Sequence, residues 1–449
     1  MNPTIATQFA ERFTRPGFAD LPDPTRHSVK RLLLDYLGVS INGSQTESGT
    51  IARRFAALSG GHGDASLIGD ARRVPAMQAA FSNAISAHSI ELDDIDVLAL
   101  FHFAPPVCSA ALAAAEHVKA SGEDLLVALA AGCELMERVS RAANPSLRNR
   151  GFHTTPTCGV FGATLAAALL YGLTPAQLIS AFGLAGAQAG GLMEMYGPSM
   201  QKRFNPGPAA RNGVTAAQIA QLGFSGADTI FEGERGFLAA FTDEANVEQL
   251  IDALDARYQL NIEFKPFSCA RPIHNAIGCA LEIRDKFAPD LDRVRTIKVA
   301  RHPDWAGYHG NKAPQTYHEA QVSLPYSVAV ALADGQALFA QYNDARLEDP
   351  SLRQLSNCVE ITVDGSLPRG VSCRMSMEMD DGSAYVSQVD YPKGSIQNPM
   401  TDQELRGKFD DLSGPVLGRA RASEIAALID RLETCEDVTA LMRLTMKAQ

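Results

Sequence analysis

The chain of 449 residues carries a formal net charge of -11, and 46% of its residues are hydrophobic and 20% charged. Such a composition is typical of a globular protein with a large core, and the length favours two domains over one. The acidic balance argues against nucleic acid as a general partner, and without a targeting pattern or a membrane-spanning apolar run we expect a cytoplasmic protein with no membrane partner.

The first half of the chain predicts closely packed helices. Asp23-Pro24 provides an acidic cap with proline in the first turn, and the apolar face that follows predicts a core helix ending at Gly43. Small and apolar residues recur at helical spacing over 74–87 and 108–116. From 153 to 224 alanine and glycine dominate, and small side chains let helix backbones approach one another.

Between two of these predicted helices, the segment 88–102 concentrates acids and imidazoles in an apolar context. Burying carboxylates costs free energy unless they are hydrogen-bonded, paired or solvated in a cleft. We therefore interpret the segment as a candidate site, with a solvated helix end and capping loop as the alternative. Its polar residues of interest are Glu91, Asp93, Asp94, Asp96 and His102.

Cationic and imidazole side chains elsewhere could bind an anion beside these acids. A polar loop over 144–151 leads to His153, which we place just before a helix N-terminus, where anions are favoured. Lys265 lies between aromatic residues and a proline, which tend to hold an ammonium group near an anion. Taken alone, each could be an ordinary capping or solvated side chain. The full set of candidates is His153, Lys202, Arg203, Arg211, Lys265, Arg271 and His274.

Beyond Ala240 the pattern changes to alternating residues that predict strands, beside a helix from about Pro325 through Ala340. Asp380-Asp381-Gly382 is a hairpin turn signal between two of the strands. We infer a smaller α+β domain from roughly 266 to 398, after which a capping box beginning at Thr401 starts the final helices. The predicted strands are 294–299, 359–363, 372–379 and 384–391.

Several common sites are missing from the sequence. It contains no Walker-type lysine loop, no G-x-G-x-x-G, no H-E-x-x-H and no G-x-S-x-G. The 8 cysteines include no C-x-x-C, so we expect neither disulfides nor structural zinc, and we interpret most of them as small core residues. We therefore expect no metal and no organic cofactor.

Over nearly its whole length the chain resembles the MmgE/PrpD family, which includes 2-methylcitrate dehydratase, cis-aconitate decarboxylase and iminodisuccinate epimerase. The matching motifs are Glu91-Leu92-Asp93-Asp94 with His102, Gly151-Phe152-His153 with Gly159, Lys202-Arg203 followed by 207–213, Gly223-Phe224-Ser225-Gly226 with Glu232-Gly233, Lys265-Pro266-Phe267, Ser323-Leu324-Pro325-Tyr326, and Tyr391-Pro392-Lys393-Gly394 near Asn398-Pro399.

The resemblance implies a mainly α protein, with a large all-helical domain over 1–265 plus 399–449 and a smaller α+β lid domain over 266–398. It also implies a homodimer, an active site between the domains, and cofactor-independent chemistry next to a carboxylate of a small di- or tricarboxylate. By motif match, the catalytic candidates are His102, His153, Lys202, Lys265 and Tyr326. The candidates for substrate binding are Asp93, Asp94, Arg203, Arg211 and His274.

Two segments depart from the family pattern. The family commonly has Asp-Asp-Thr-His where this chain has Asp93-Asp94-Ile95-Asp96, and His-Pro-Gly where it has His102-Phe103-Ala104. These changes alter local charge and polarity, which favours a substrate different from those of the named relatives. We expect a lyase of the 2-methylcitrate dehydratase type. The alternatives are an epimerase of a substituted succinate, a cis-aconitate-type decarboxylase, and a non-catalytic homologue that binds a carboxylate.

Overall fold

The computed structural model describes residues 3–99, 101–195, 199–254, 258, 260–368 and 372–447. The chain divides into two compact units. The first contains the described residues of Met1–Tyr196, Met200–Ile262 and Thr401–Gln449, and the second those of Gly197–Ser199 and Glu263–Met400. Helices predominate, so the predicted mainly α fold class is confirmed.

The first unit begins with a succession of helices and one short two-stranded ladder. The helices are α1 (Ile5–Phe13), α2 (Asp23–Gly43), α3 (Glu47–Leu58), α4 (Ala76–Ala87), α5 (Ala104–Val118), α6 (Gly122–Ala143), α7 (Ser146–Asn149), α8 (Thr154–Leu170), α9 (Pro175–Gly186), α10 (Gln201–Phe204), α11 (Pro206–Gln221), α12 (Phe237–Phe241) and α13 (Glu248–Ile251). The ladder pairs β1 (Ala65–Ser66) with β2 (Arg73–Val74) in antiparallel fashion.

Helix α8 lies at the centre of the first unit, and every residue from Thr154 to Ala168 is buried. Its glycines explain how neighbouring backbones come so close. A Cβ atom on Gly162 would lie 2.5 Å from the carbonyl oxygen of Gly132 on α6 and 2.9 Å from the Cβ of Met136. The close helix packing expected from the alanine- and glycine-rich sequence is therefore confirmed.

The second unit is an α+β arrangement. Its helices and strands are α14 (His274–Phe287), β3 (Val294–Arg301), α15 (Pro303–Ala306), α16 (Tyr317–Ala320), α17 (Leu324–Asp334), α18 (Asp344–Leu347), α19 (Pro350–Asn357), β4 (Val359–Val363), β5 (Cys373–Met379) and β6 (Ala384–Val389). Within the described part of the chain, the strands form one sheet in the order β4-β3-β5-β6, in which only the β3–β4 pair is parallel. Alternate residues of β5 are buried in a core that also includes residues of α14 and α17.

The chain then returns to the first unit with α20 (Asp402–Leu417), α21 (Arg419–Asp430) and α22 (Thr439–Leu444). Helix α20 begins with the predicted capping box, in which Thr401 and Glu404 satisfy each other's backbone N–H groups. Farther along α20, the ammonium group of Lys408 lies 2.5 Å from the carboxylate of Asp35 and donates to the carbonyl of Leu92 at 2.7 Å. Helix α20 therefore helps to hold the segment that carries the candidate acids.

Three local predictions need correction. The helix predicted from about 325 to 340 ends at Asp334, because Gly335 takes a left-handed φ of 71° there. The predicted polar loop 144–151 contains the short helix α7. Pro22, rather than Asp23, occupies the N-cap of α2, so Asp23 contributes as an acid in the first turn.

The cysteines behave as predicted, since each has a free thiol and only Cys358 and Cys435 are not fully buried. No helix among the described residues has both the length and the apolar character needed to cross a bilayer.

We predict that Gly162→Ala destabilises the first unit by about 1–3 kcal/mol, because the added methyl group overlaps the α6 backbone. Thermal unfolding followed by circular dichroism should show a midpoint several degrees lower. The matched control is Gly407→Ala at an exposed position of α20, where a Cβ meets no atom within 4 Å and the helix should gain about 0.5–1 kcal/mol. Equal midpoints for the two variants would contradict the packing argument.

Candidate active site

The segment between α4 and α5 is a buried turn. His88 occupies the C-cap of α4, and Glu91 adopts a left-handed backbone conformation with a φ of 58°. Backbone hydrogen bonds between Asp96 and Phe101, at 2.8 and 3.2 Å, then close the turn before α5. Its four acids are each at most 1% exposed, so the alternative of a solvated helix end is wrong.

Two of the buried acids bind the backbone around them. The carboxylate of Asp94 accepts hydrogen bonds from the N–H groups of Phe103 and Ala104, at 2.7 and 3.0 Å, and so caps α5. Burial, followed by the charge of Asp93, raises the pKa of Asp94 well above its ordinary value, although these two N–H groups oppose the shift. Oδ1 of Asp96 accepts hydrogen bonds from the backbone N–H groups of Leu98 and Ala99, at 2.7 and 2.9 Å.

The carboxylate of Asp93 joins two imidazole rings. Its Oδ2 atom lies 2.7 Å from Nδ1 of His88 and 3.1 Å from Nδ1 of His102. The two rings are in edge contact, with 4.9 Å between their centroids, and the centroid of His153 is 6.1 Å from that of His88. The structure therefore brings the predicted residues Asp93, His102 and His153 together and adds His88, which sequence reasoning had not selected.

His102 has a defined hydrogen-bonding arrangement. Its Nδ1 atom also bonds to the backbone carbonyl oxygen of Asp94, and a carbonyl oxygen can only accept. Nδ1 therefore carries a proton, and in the neutral ring the lone pair lies on Nε2; the side chain is 9% exposed. Its backbone N–H donates to the hydroxyl of Thr155 at 3.1 Å, so the residue is also fixed against α8. This arrangement suits a group that accepts and returns a proton.

His153 is held in the opposite tautomer. It forms the N-cap of α8, as predicted, and its Nδ1 atom accepts a hydrogen bond from Nδ2 of Asn205 at 3.0 Å. The proton of the neutral ring therefore lies on Nε2. Burial, assisted by the neighbouring imidazoles of His88 and His102, lowers the pKa of His153 well below its ordinary value. His153 is thus a neutral hydrogen-bond donor, and Asn205 is a second residue that the sequence analysis missed.

Glu91 binds both cations of α10. One carboxylate oxygen accepts from the ammonium group of Lys202, and the other accepts from the guanidinium of Arg203 at 2.7 Å. Glu91 and Arg203 are almost completely buried, so removing the carboxylate would leave a costly unpaired charge. The carboxylate of Glu91 thus holds the two cationic groups of α10 beside each other. Glu91 was part of the quoted motif but had not been assigned a role.

Arg211 does not join the histidine cluster through its described contacts. Its guanidinium lies over the ring of Phe81, with 5.4 Å to the ring centroid, and its Nε donates to Asn212 at 3.3 Å. These contacts place Arg211 against an apolar part of the first unit.

The second unit holds the remaining predicted residues in separate surroundings. His274 accepts from the Arg271 guanidinium through Nδ1 at 3.1 Å, and its Nε2 lies 3.2 Å from the carbonyl oxygen of Cys269. The Tyr326 hydroxyl donates to the backbone of Gln341 at 2.7 Å, and burial raises its pKa. Both side chains therefore have hydrogen bonds within their own unit.

Lys265 is 1% exposed in a segment fixed by a buried ion pair. The Arg271 guanidinium binds Glu263 through two nitrogens, at 2.6 and 3.1 Å, and also donates to the carbonyl of Lys393 at 3.2 Å. The N–H of Phe264 donates to the carbonyl of Gly394 at 3.1 Å. These contacts bind the 263–271 and 393–394 segments to each other around Lys265.

One group of side chains has the composition of a metal site. Potential ligand atoms of His88, Asp93 and His102 all lie within 4.8 Å of one another. However, both Nδ1 atoms point to the same carboxylate oxygen at hydrogen-bond distances, and that of His102 also bonds to a carbonyl. Shared protons account for this geometry, and a metal ion would have to displace them.

Comparison with known proteins extends over almost the entire chain. Residues 7–250 match the MmgE/PrpD N-terminal domain, and residues 267–434 match the MmgE/PrpD C-terminal domain. The cis-aconitate decarboxylase-like protein oryM of Aspergillus oryzae is 32% identical, with 95% of this chain and 94% of that protein covered. The cis-aconitate decarboxylase of Aspergillus terreus is 27% identical, with 95% of this chain and 92% of that protein covered. The cis-aconitate decarboxylase of Homo sapiens is also 27% identical, with 98% of this chain and 94% of that protein covered.

Proposed function

The chain belongs to the MmgE/PrpD family, and on that basis we propose that it is a lyase that removes CO₂ from a small unsaturated di- or tricarboxylate resembling cis-aconitate. The observation that carries the proposal is the pair of buried imidazoles in opposite tautomers, His102 and His153, in the unit that also holds the positively charged Lys202 and Arg203. Motif resemblance alone placed dehydration first, whereas the names of the relatives favour decarboxylation.

The proposed reaction consumes one proton and releases one CO₂. In a β,γ-unsaturated acid such as cis-aconitate, the bond from the CH₂ carbon to its carboxylate breaks, and its electron pair forms a new C=C bond. The electrons of the original double bond take a proton at the carbon next to a remaining carboxylate. Catalysis therefore needs a proton donor aimed at that carbon and cationic or hydrogen-bonding groups where negative charge develops.

We assign different roles to the two histidines. The carboxylate of Asp93, 3.1 Å from Nδ1 of His102, stabilises the imidazolium that forms when Nε2 takes a proton, so His102 is the proton carrier. His153 faces an amide rather than a carboxylate and remains neutral, so it donates a hydrogen bond from Nε2 to a substrate oxygen. On the motif match, we assign Lys202 and Lys265 to the binding of substrate charge. Tyr326 donates its only hydroxyl proton to Gln341 and receives no role in binding negative charge.

A substrate panel tests the reaction directly. We predict that the purified protein releases CO₂ from cis-aconitate or a close analogue in heavy water and leaves one deuterium in the product. The panel should include 2-methylcitrate, citrate and substituted succinates, assayed with and without a chelator, and no loss of activity on chelation is expected. New ultraviolet absorbance without CO₂ would instead indicate dehydration, and deuterium uptake without net conversion would indicate epimerisation. No reaction with any acid would contradict the lyase assignment.

His153→Ala and Lys265→Ala should each lower kcat by about a hundredfold or more with the fold intact, if both groups stabilise charge in the transition state. Lys298→Ala is the matched control, because this lysine lies half-exposed on the sheet of the second unit and pairs only with Glu378 among the described contacts. Steady-state kinetics and thermal melts should be run on all three variants. Full activity of Lys265→Ala would refute the assigned role, and a loss explained by unfolding would make the residue structural.

We also propose a homodimer formed through the helical unit. Ile51, Phe55 and Leu58 of α3 are exposed by 52%, 46% and 84%, and Phe204 of α10 by 50%. The ring of Phe81 connects them, with centroids 5.5 Å from Phe55 and 5.8 Å from Phe204. An apolar face of this kind is typical of a protein interface. Light scattering at micromolar concentration should give twice the 48.0 kDa chain mass, and a monomer mass would exclude the dimer.

A further inference from the structure

His88 has no part in the roles proposed above, yet it lies at the centre of the imidazole cluster. The side chain is completely buried at the C-terminal end of α4, where its backbone N–H also closes the helix. Its Nδ1 atom is 2.7 Å from Oδ2 of Asp93, the oxygen that also faces His102. A single carboxylate oxygen therefore receives N–H groups from two imidazoles that approach it from different elements.

The direction of the His88 hydrogen bond follows from its surroundings. Burial, with a smaller effect from the charges of Lys202 and Arg203, lowers the pKa of His88 to about 4 even though Asp93 opposes the shift. The ring is therefore neutral near pH 7 and has one proton. Nε2 is buried without a hydrogen-bond partner among the described residues. An unpartnered lone pair there costs less than an unpartnered N–H, so the proton lies on Nδ1 and is donated to Asp93.

This hydrogen bond is the shorter of the two that join the Asp93 carboxylate to imidazole rings. Asp93 belongs to an irregular turn, whereas His88 is attached to the end of a regular helix and packs edge-on against the ring of His102. Loss of the His88 N–H would remove a strong, charge-assisted restraint on the carboxylate. The carbonyl of Asp94 would still hold His102 in its tautomer, but the carboxylate beside Nδ1 would lose the closer of its two imidazole partners.

We propose that His88 is a positioning residue, whose Nδ1–H holds the carboxylate of Asp93 against Nδ1 of His102 and thereby stabilises the protonated form of His102 during turnover. The proposal rests on the function proposed above, in which His102 carries the proton. It assigns His88 no contact with the substrate. Its effect should consequently appear in kcat and in the pH dependence, not in KM.

Three substitutions separate this role from a purely structural one. The amide nitrogen of Asn occupies nearly the position of Nδ1, so His88→Asn keeps the donor to Asp93. Leu has the same branching without a donor, and Gln places its amide nitrogen nearer the position of Nε2. His88→Gln serves as a polar test if His88→Leu fails to fold. Thermal melts should accompany the kinetics of each variant.

We expect His88→Asn to retain at least about a third of the wild-type kcat, and His88→Leu and His88→Gln to lose about thirtyfold or more with KM within about twofold. The alkaline limb of the kcat profile should move to lower pH in the Leu and Gln variants and stay in place in the Asn variant. A folded His88→Leu enzyme with wild-type kcat would overturn the proposal. Equal losses of kcat in folded His88→Asn and His88→Leu variants would also overturn the proposal. They would show that a donor at the Nδ1 position does not restore activity, and that Nε2 is the important atom.

A second measurement keeps this test independent of the proposed reaction. In ¹⁵N-histidine-labelled wild-type protein, nuclear magnetic resonance should show strongly downfield Nδ1–H protons for His88 and His102. The His102 proton should keep its shift in His88→Asn and move upfield in His88→Leu. An unchanged His102 signal in His88→Leu would refute the positioning role, whether or not any acid in the panel is turned over. Correct shifts in an inactive wild-type protein would instead remove only the proposed reaction.

Discussion

The first unit depends on satisfying a group of carboxylates that are buried in its helical core. Glu91, Asp93, Asp94 and Asp96 lie within six residues of one another, and each would cost several kcal/mol if it were left without partners. Each one binds a different part of the structure. Asp94 caps α5, Asp96 binds its own turn, Glu91 binds α10, and Asp93 binds the two imidazoles. Hydrogen bonds and ion pairs from this turn therefore reach α5 and α10.

The same requirement prepares the chemistry. The hydrogen-bond partners of each imidazole decide which ring nitrogen carries the proton. His102 faces the carboxylate of Asp93, whereas His153 faces the side-chain amide of Asn205. Two rings of the same residue type can then take different parts in one reaction, as expected when environment sets protonation. The carboxylate of Glu91 keeps the cationic groups of Lys202 and Arg203 in defined positions.

The structure also limits what the departures from the family pattern mean. Asp96, which stands where the family commonly has histidine, turns its Oδ1 atom to the backbone of its own loop. Its charge is one reason, after burial, why the pKa of Glu137 on α6 rises to about 7. The Asp96 carboxylate therefore binds the backbone of its own loop through Oδ1. At position 95 the chain has an aliphatic side chain, which cannot form the hydrogen bonds of a threonine hydroxyl.

The sequence by itself determined the elements and the family. Helix periodicity, capping residues and strand alternation are local signals, so α2, α20 and the β5–β6 hairpin could be predicted, and the motifs pointed to His102, His153 and Lys202. Only the tertiary structure decided which side chains meet. Glu91 and Lys202 are 111 residues apart, and His153 and Asn205 are 52 apart, so no periodic pattern connects them. From the sequence, His88 could not be distinguished from an ordinary residue at a helix end. Its burial arises from packing between distant segments and its pairing with Asp93 from the closing of the turn, which no local pattern shows.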